Sequence, residues 1–160
     1  MSSFPPPPAY QAPAEQPQGE PPIWAPYYGI TFVPAIRRAL SKYADFTGRA
    51  SRSEFWWWYL GIAIVGIVLD ILAGIVAGIG RSASGAPGPG YFVFTIILVL
   101  FGLAIIVPQL AVTWRRLHDG NFAGPFFFLS LIPFVGGIIV LVLLILPSKP
   151  EGQRFDRPRG

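Results

Sequence analysis

Long apolar stretches alternating with short polar ones dominate this chain: residues 60–79, 91–114 and 126–146 hold a single charged side chain among them, Asp70. Each run is close to the roughly 20 residues that a helix needs to cross the hydrocarbon of a bilayer. The pattern predicts an all-α membrane protein, a three-span helical bundle over residues 34–146 with spans at about 54–79, 91–114 and 126–146. Ahead of the spans, Ile36, Leu40 and Tyr43 recur at helical spacing while Arg37, Arg38, Ser41 and Lys42 take the other side. That spacing predicts an amphipathic helix over 34–44, lying in the head-group plane of an anionic leaflet or packed against the loops of the bundle. Residues 1–33 are Pro-rich, with Pro5 to Pro8 in a row, and are expected to be disordered with polyproline II character. They serve as a solvated tether or as a ligand for an aromatic-lined groove. Residues 147–160 form a polar, basic tail.

Boundary signals refine the spans. Ser51-Arg52-Ser53-Glu54 has the form of a capping box, which starts the first span. Phe55, Trp56, Trp57, Trp58 and Tyr59 follow, and their rings suit the polar–apolar boundary of a bilayer better than stacking on one ligand, because consecutive helical residues point in different directions. Residues 80–90 are a turn-rich connector. Pro133, Gly136 and Gly137 kink or interrupt the third run.

With the N-terminus in the cytoplasm, three crossings put Arg37, Arg38, Lys42, Arg49, Arg52, Arg115 and Arg116 inside, and Arg81, Lys149, Arg154, Arg157 and Arg159 outside. That is a weak positive-inside bias. A hairpin at 133–137 would leave Arg81 alone outside. Length favours the crossing, since the third run fits one span and is too short for two, so three crossings are the expectation.

Composition agrees with a bilayer: 52% of residues are hydrophobic and 12% charged, with a mean hydropathy of +0.52. The net charge of +4 does not point to nucleic acid, because the twelve Lys and Arg flank the apolar runs, where anionic head groups lie. There are no cysteines, which excludes disulfides, thiolate metal sites and a cysteine nucleophile. The start of the chain lacks the basic and apolar regions of a cleaved signal peptide, so the first span is itself expected to be recognised for insertion.

Few residues are candidates for chemistry. Asp70 lies deep in an apolar run, where an ionisable group costs several kcal/mol unless neutralised, paired or hydrated. Its helix neighbours Ala63, Gly66, Ala73, Gly74 and Ala77 are small, which predicts that it faces a helix–helix contact. It is read as a structural carboxyl, with a proton or cation site as the sharper alternative. Arg115 and Arg116 complement the dipole at the end of the second span and the phosphates of anionic lipid. His118 and Asp119 are expected to hydrogen-bond locally and close the loop, in preference to acting as base or ligand. One His with no Cys makes no metal site, and no nucleophile, phosphate loop or carboxylate pair accompanies it. Neither catalytic residue, metal nor cofactor is expected.

Three segments together carry a resemblance: Gly48-Arg49-Ala50-Ser51-Arg52-Ser53-Glu54-Phe55-Trp56, then Arg115-Arg116-Leu117-His118-Asp119, then Ile132-Pro133-Phe134-Val135-Gly136, with Asp70 between the first two. From about residue 39 onward the chain resembles the domain-of-unknown-function family DUF805, which includes the YhaH-like bacterial inner-membrane proteins. The family's usual Asn-Arg-Phe-Gly ending reads Gln153-Arg154-Phe155-Asp156 here, and no role is carried over to it. The resemblance implies a small multi-pass protein of the bacterial plasma membrane and brings no activity, cofactor or catalytic residue. The expectation is a non-enzymatic interaction or accessory protein whose motifs around Arg49, Arg52, Glu54, Arg115 and Arg116 engage anionic head groups, a protein partner or a second copy. A small oligomeric transporter or channel using Asp70 is the first alternative, and a lipid-active enzyme using His118 the second.

Overall fold

The computed structural model describes residues 19–79, 81–82 and 84–156. The expected disorder of residues 1–18 and the last basic residues of the tail lie outside that range. Four α-helices, α1 (Phe32–Ser41), α2 (Arg52–Gly78), α3 (Pro89–Asp119) and α4 (Gly136–Ile145), alternate with two 3₁₀ segments, Gly124–Leu131 and Pro150–Phe155. The described residues contain no strand.

α2 begins where the capping box predicts: the Ser51 hydroxyl accepts from the Glu54 amide at 3.2 Å and Glu54 accepts from the Ser51 amide at 2.8 Å. Its 27 residues span about 40 Å at 1.5 Å per residue. α3 starts with Pro89 in its first turn and runs on through the Arg-Arg-Leu-His-Asp motif. The two form an antiparallel pair tied by polar contacts near one end, Trp58 Nε1 to Gln109 Oε1 at 2.9 Å and Tyr59 to Thr113 at 3.3 Å. Elsewhere their surfaces are aliphatic and open: Ile67, Ile71, Ile75, Val93 and Leu103 are all exposed. Hardly any of the most apolar stretch of either helix is buried within the chain. A water-soluble fold does not leave its greasiest helices uncovered, whereas a bilayer supplies the missing apolar partner.

The row of aromatics is largely packed inward. Phe55 and Trp58 belong to the core, with Val112, Leu117, Val140 and Leu144. Trp57 donates to the Ile30 carbonyl at 2.9 Å. Trp56 alone of the three tryptophans is exposed.

The third apolar run is not a single crossing helix. A 3₁₀ segment of 8 residues rises about 16 Å, the chain reverses at 132–135, and the 10 residues of α4 return about 15 Å. Each arm is about half the thickness of a bilayer core. The reversal falls at the predicted breakers: Phe134 takes φ +67° at the exposed tip. A Cβ on Gly136 would sit 1.9 Å from the Leu129 carbonyl oxygen. Both ends of the run meet the end of α3, Gly124 against the Trp114 ring and Leu144 and Leu146 against Arg116.

α1 is also corrected. Its polar side is divided: Arg38 and Lys42 are buried while Arg37 and Ser41 stay exposed, and the apolar Val33 and Leu40 are exposed as well. Nor does residue 19 onward extend freely. Residues 19–31 lie across the end of the α2–α3 pair as a strap, fixed by the Arg38 guanidinium, which donates to the carbonyls of Pro21, Pro22, Ile23 and Ala25.

Candidate functional site

Where α2 begins and α3 ends, four separate segments of chain meet in one polar cap. Gly48 opens the segment leading into α2 with φ +75°, and a Cβ there would lie 2.6 Å from the Trp24 carbonyl of the strap. Its amide donates to Phe155 at 3.0 Å, and its carbonyl accepts from His118 Nδ1 at 3.0 Å. A carbonyl only accepts, so this nitrogen carries the imidazole proton. The next residue, Arg49, grips Asp156 with a two-pronged contact of 3.0 and 2.9 Å. Ala50 then donates to the Arg115 carbonyl at 3.0 Å.

Asp119 is the hub. One carboxylate oxygen accepts from the Tyr28 hydroxyl at 2.9 Å and lies 3.7 Å from Arg49 Nη1. The other accepts from Arg116 at 2.6 Å and from the Ser148 hydroxyl. Arg116 spends the rest of its fork on the Leu144 carbonyl at 2.9 Å and the Leu146 carbonyl. The helix thus ends in a charge pair that also caps carbonyls at the end of α4, which its own hydrogen-bond ladder leaves unpaired. Glu54 plays the matching part at the start of α2: it closes the capping box and takes Arg38 Nε at 2.6 Å.

The tail seals the cap. Phe155 stacks on His118 with ring centroids 4.0 Å apart and planes 3° from parallel. Arg154 lies over the outer side of Phe155 at 4.6 Å. Gly152 has no room for a side chain, since its Cβ would meet the His118 carbonyl at 2.5 Å.

Charges outside the spans respond to this enclosure. Burial, followed by the Asp119 charge and hydrogen bond, raises the Tyr28 hydroxyl above its usual range. For Arg49, burial pulls downward, but the Asp156 hydrogen bond and charge outweigh it and the guanidinium is held more firmly protonated. Lys42 is lowered to about 8, first by burial and then by the Arg115 charge. Lys42 Nζ and Arg115 Nη2 are buried without a hydrogen-bond partner among the described residues.

Of the expected site residues, Arg49, Glu54, Arg115, Arg116, His118 and Asp119 converge here and are buried. Burial corrects the expectation that Arg115 and Arg116 reach lipid phosphates. Arg52 stays exposed at the rim. Asp70 lies 18 residues further along α2, about 27 Å away. It is exposed and does not face a helix–helix contact within the chain. The polar side chains Gln109 and Thr113 of α3 pair with Trp58 and Tyr59. Tyr28, Arg38, Ser148, Gly152, Phe155 and Asp156 were not foreseen as site residues, and nothing local marks them, since their partners in the cap are remote in sequence. Among the described residues no group of three or more His, Cys, Asp and Glu side chains is placed to share a metal ion.

The family described as "Protein of unknown function (DUF805)" matches residues 43–157, which takes in the cap's two motifs and the tail but neither the strap nor α1. The chain is 32% identical to inner membrane protein YhaH of Escherichia coli K12 over 118 residues, 74% of this chain and 89% of that protein. It is 31% identical to inner membrane protein YhaI of the same strain over 116 residues, 72% of this chain and 86% of that protein. No solved structure matches the chain.

Proposed function

The chain belongs to the DUF805 family of proteins of unknown function, and from that premise we propose a multi-pass, non-enzymatic accessory protein of the bacterial plasma membrane. α2 and α3 cross the bilayer, and the third apolar run dips into one leaflet and returns. The N-terminus, α1, the cap and the C-terminal tail then share the cytoplasmic side. In this topology eleven of the twelve Lys and Arg lie inside and Arg81 alone outside, a strong positive-inside bias where three crossings leave a weak one. Reporter fusions at both termini test it: both are expected to report cytoplasm, and a C-terminal fusion active outside overturns the hairpin.

One observation carries the non-enzymatic reading: Arg116 and Asp119 have no exposed surface and neutralise each other. Charges locked this way hold a structure together and are not offered to a substrate. Among the described residues, the cations left for head groups or an acidic partner are the exposed ones at the rim, Arg37, Arg52, Lys149 and Arg154. Turnover of any lipid by purified protein in defined liposomes, abolished by His118→Ala, would overturn the reading.

A second reading, a small oligomeric transporter using Asp70, is favoured by one fact. Asp70 is exposed in mid-span with no partner among the described residues, and the space beside Gly66, Gly74 and Gly78 is open. Asp70→Asn separates the two: loss of ion or proton flux at normal abundance supports transport, and loss of abundance alone supports a structural carboxyl.

A further inference from the structure

α1 presents a mixed stripe to its surroundings. Val33, Arg37 and Leu40 follow one another at helical spacing on its exposed side. Between that stripe and the α2–α3 pair runs an apolar groove of about 550 Å³, whose far wall is Trp58, Ile62, Val65, Phe101 and Ile105. Its floor is set by Gly61, where a Cβ would meet Ile36 at 2.6 Å, so the glycine lets α1 approach α2 closely. Arg37 lines this groove and also a second crevice of about 180 Å³ beside the strap, of mixed apolar and polar surface, together with Glu20, Ile23, Tyr27 and Ser41. Neither Arg37 nor Glu20 has an ion-pair partner among the described residues.

The order along this surface is apolar groove, free cation, free anion. A lipid-facing apolar groove takes hydrocarbon and not water, which finds no hydrogen-bond partner there. A guanidinium at its mouth matches a phosphate oxygen pair. A carboxylate one step further repels an anionic head and attracts an ammonium. We propose that groove and crevice together hold one aminophospholipid of the phosphatidylethanolamine type, with an acyl chain along Val65 and Ile105, its phosphate on Arg37 and its ammonium on Glu20. The strap and α1, which supply Glu20 and Arg37, lie outside the stretch matched by the family, while the far wall of the groove lies within it. The inference rests on the membrane reading above.

The test is lipid retention by the full chain, reconstituted in vesicles of phosphatidylethanolamine or phosphatidylglycerol, extracted in mild detergent and weighed by native mass spectrometry. One phosphatidylethanolamine per chain is expected to persist. Arg37→Glu removes a charge-assisted contact and lowers retention about tenfold or more. Val65→Trp fills the groove with the same result, while Val93→Trp, on an exposed part of α3 away from the groove, leaves retention unchanged. Glu20→Lys shifts the preference to phosphatidylglycerol. Retention that is absent, indifferent to Arg37→Glu and Val65→Trp, or selective for phosphatidylglycerol in the unaltered chain overturns the proposal. Failure of the membrane reading looks different: the chain stays in the supernatant without detergent.

Discussion

Arg116 and Asp119, one helical turn apart at the end of α3, meet at 2.6 Å with no exposed surface on either side chain. Through this pair the end of α3 holds the strap, by Tyr28, the returning arm of the third apolar run, by the Leu144 and Leu146 carbonyls, and the start of the tail, by Ser148.

Removing one partner of a buried pair strands the other charge, which costs about 3–5 kcal/mol. Asp119→Ala is therefore expected to lower the abundance of the protein in the membrane fraction and its unfolding midpoint in detergent. Arg116→Lys is expected to be nearly as damaging, because an ammonium cannot span two carbonyls and a carboxylate as the guanidinium does. An unchanged midpoint in both variants contradicts the keystone role.

The tail is held by shape as much as by charge. Gly152→Ala places a methyl against the His118 carbonyl, a strain of about 1–3 kcal/mol, and Phe155→Ala removes the stack on His118. Both variants are expected to expose residues 150–156 to limited proteolysis while leaving the apolar helices protected. Equal cleavage rates in parent and variants would contradict this.

Arg38 is the anchor of the strap, and Arg38→Ala leaves Glu54 buried without its cation. Cleavage within residues 19–31 is expected to rise sharply on this change. An exposed arginine at the start of α2 supplies the control: Arg52→Ala leaves cleavage as it was.

Lys42 makes stability depend on pH in a definite direction. Its ammonium sits at about 8 in the folded chain against an ordinary 10.5. Below pH 8 both states carry the proton, and the folded state bears the cost of a buried charge. Between pH 8 and 10.5 the folded chain has released the proton while the unfolded chain keeps it, so stability rises with pH. Lys42→Met is expected to raise the midpoint at pH 7 and to flatten the slope above pH 8 relative to the parent. Parallel curves for the two proteins would exclude Lys42 as the titrating group.

Two apolar helices and the capping box of Ser51 and Glu54 were legible in the residues alone, because both signals are local. Apolarity over some twenty positions reports transfer into hydrocarbon, and a cap needs only residues three apart. The breakers Pro133 and Gly136 likewise marked where the third run is interrupted. What they could not say is where the chain goes next: a crossing and a hairpin bury the same aliphatic side chains in lipid, so hydropathy does not distinguish them. The Arg116 fork on the Leu144 and Leu146 carbonyls brings the end of the run back to α3.

The same division holds for charge. Residue type alone marked Arg49, Arg115, Arg116, His118 and Asp119 as a group worth attention, and assigned the arginines to lipid. Tertiary packing turned them inward, through contacts between positions as distant as Tyr28 and Asp119 or Arg49 and Asp156. A buried guanidinium takes whichever carboxylates and carbonyls the fold delivers, and these come from remote parts of the chain. Asp70 shows the converse: its small neighbours suggested a covered face, yet the helix rotation that packs Ala73 and Ala77 leaves its carboxyl pointing out. The sequence alone thus determined which segments leave water for the bilayer, since transfer free energy adds up residue by residue. Only the assembled structure decided which charges face each other, because that depends on what every other segment brings to the same few ångströms.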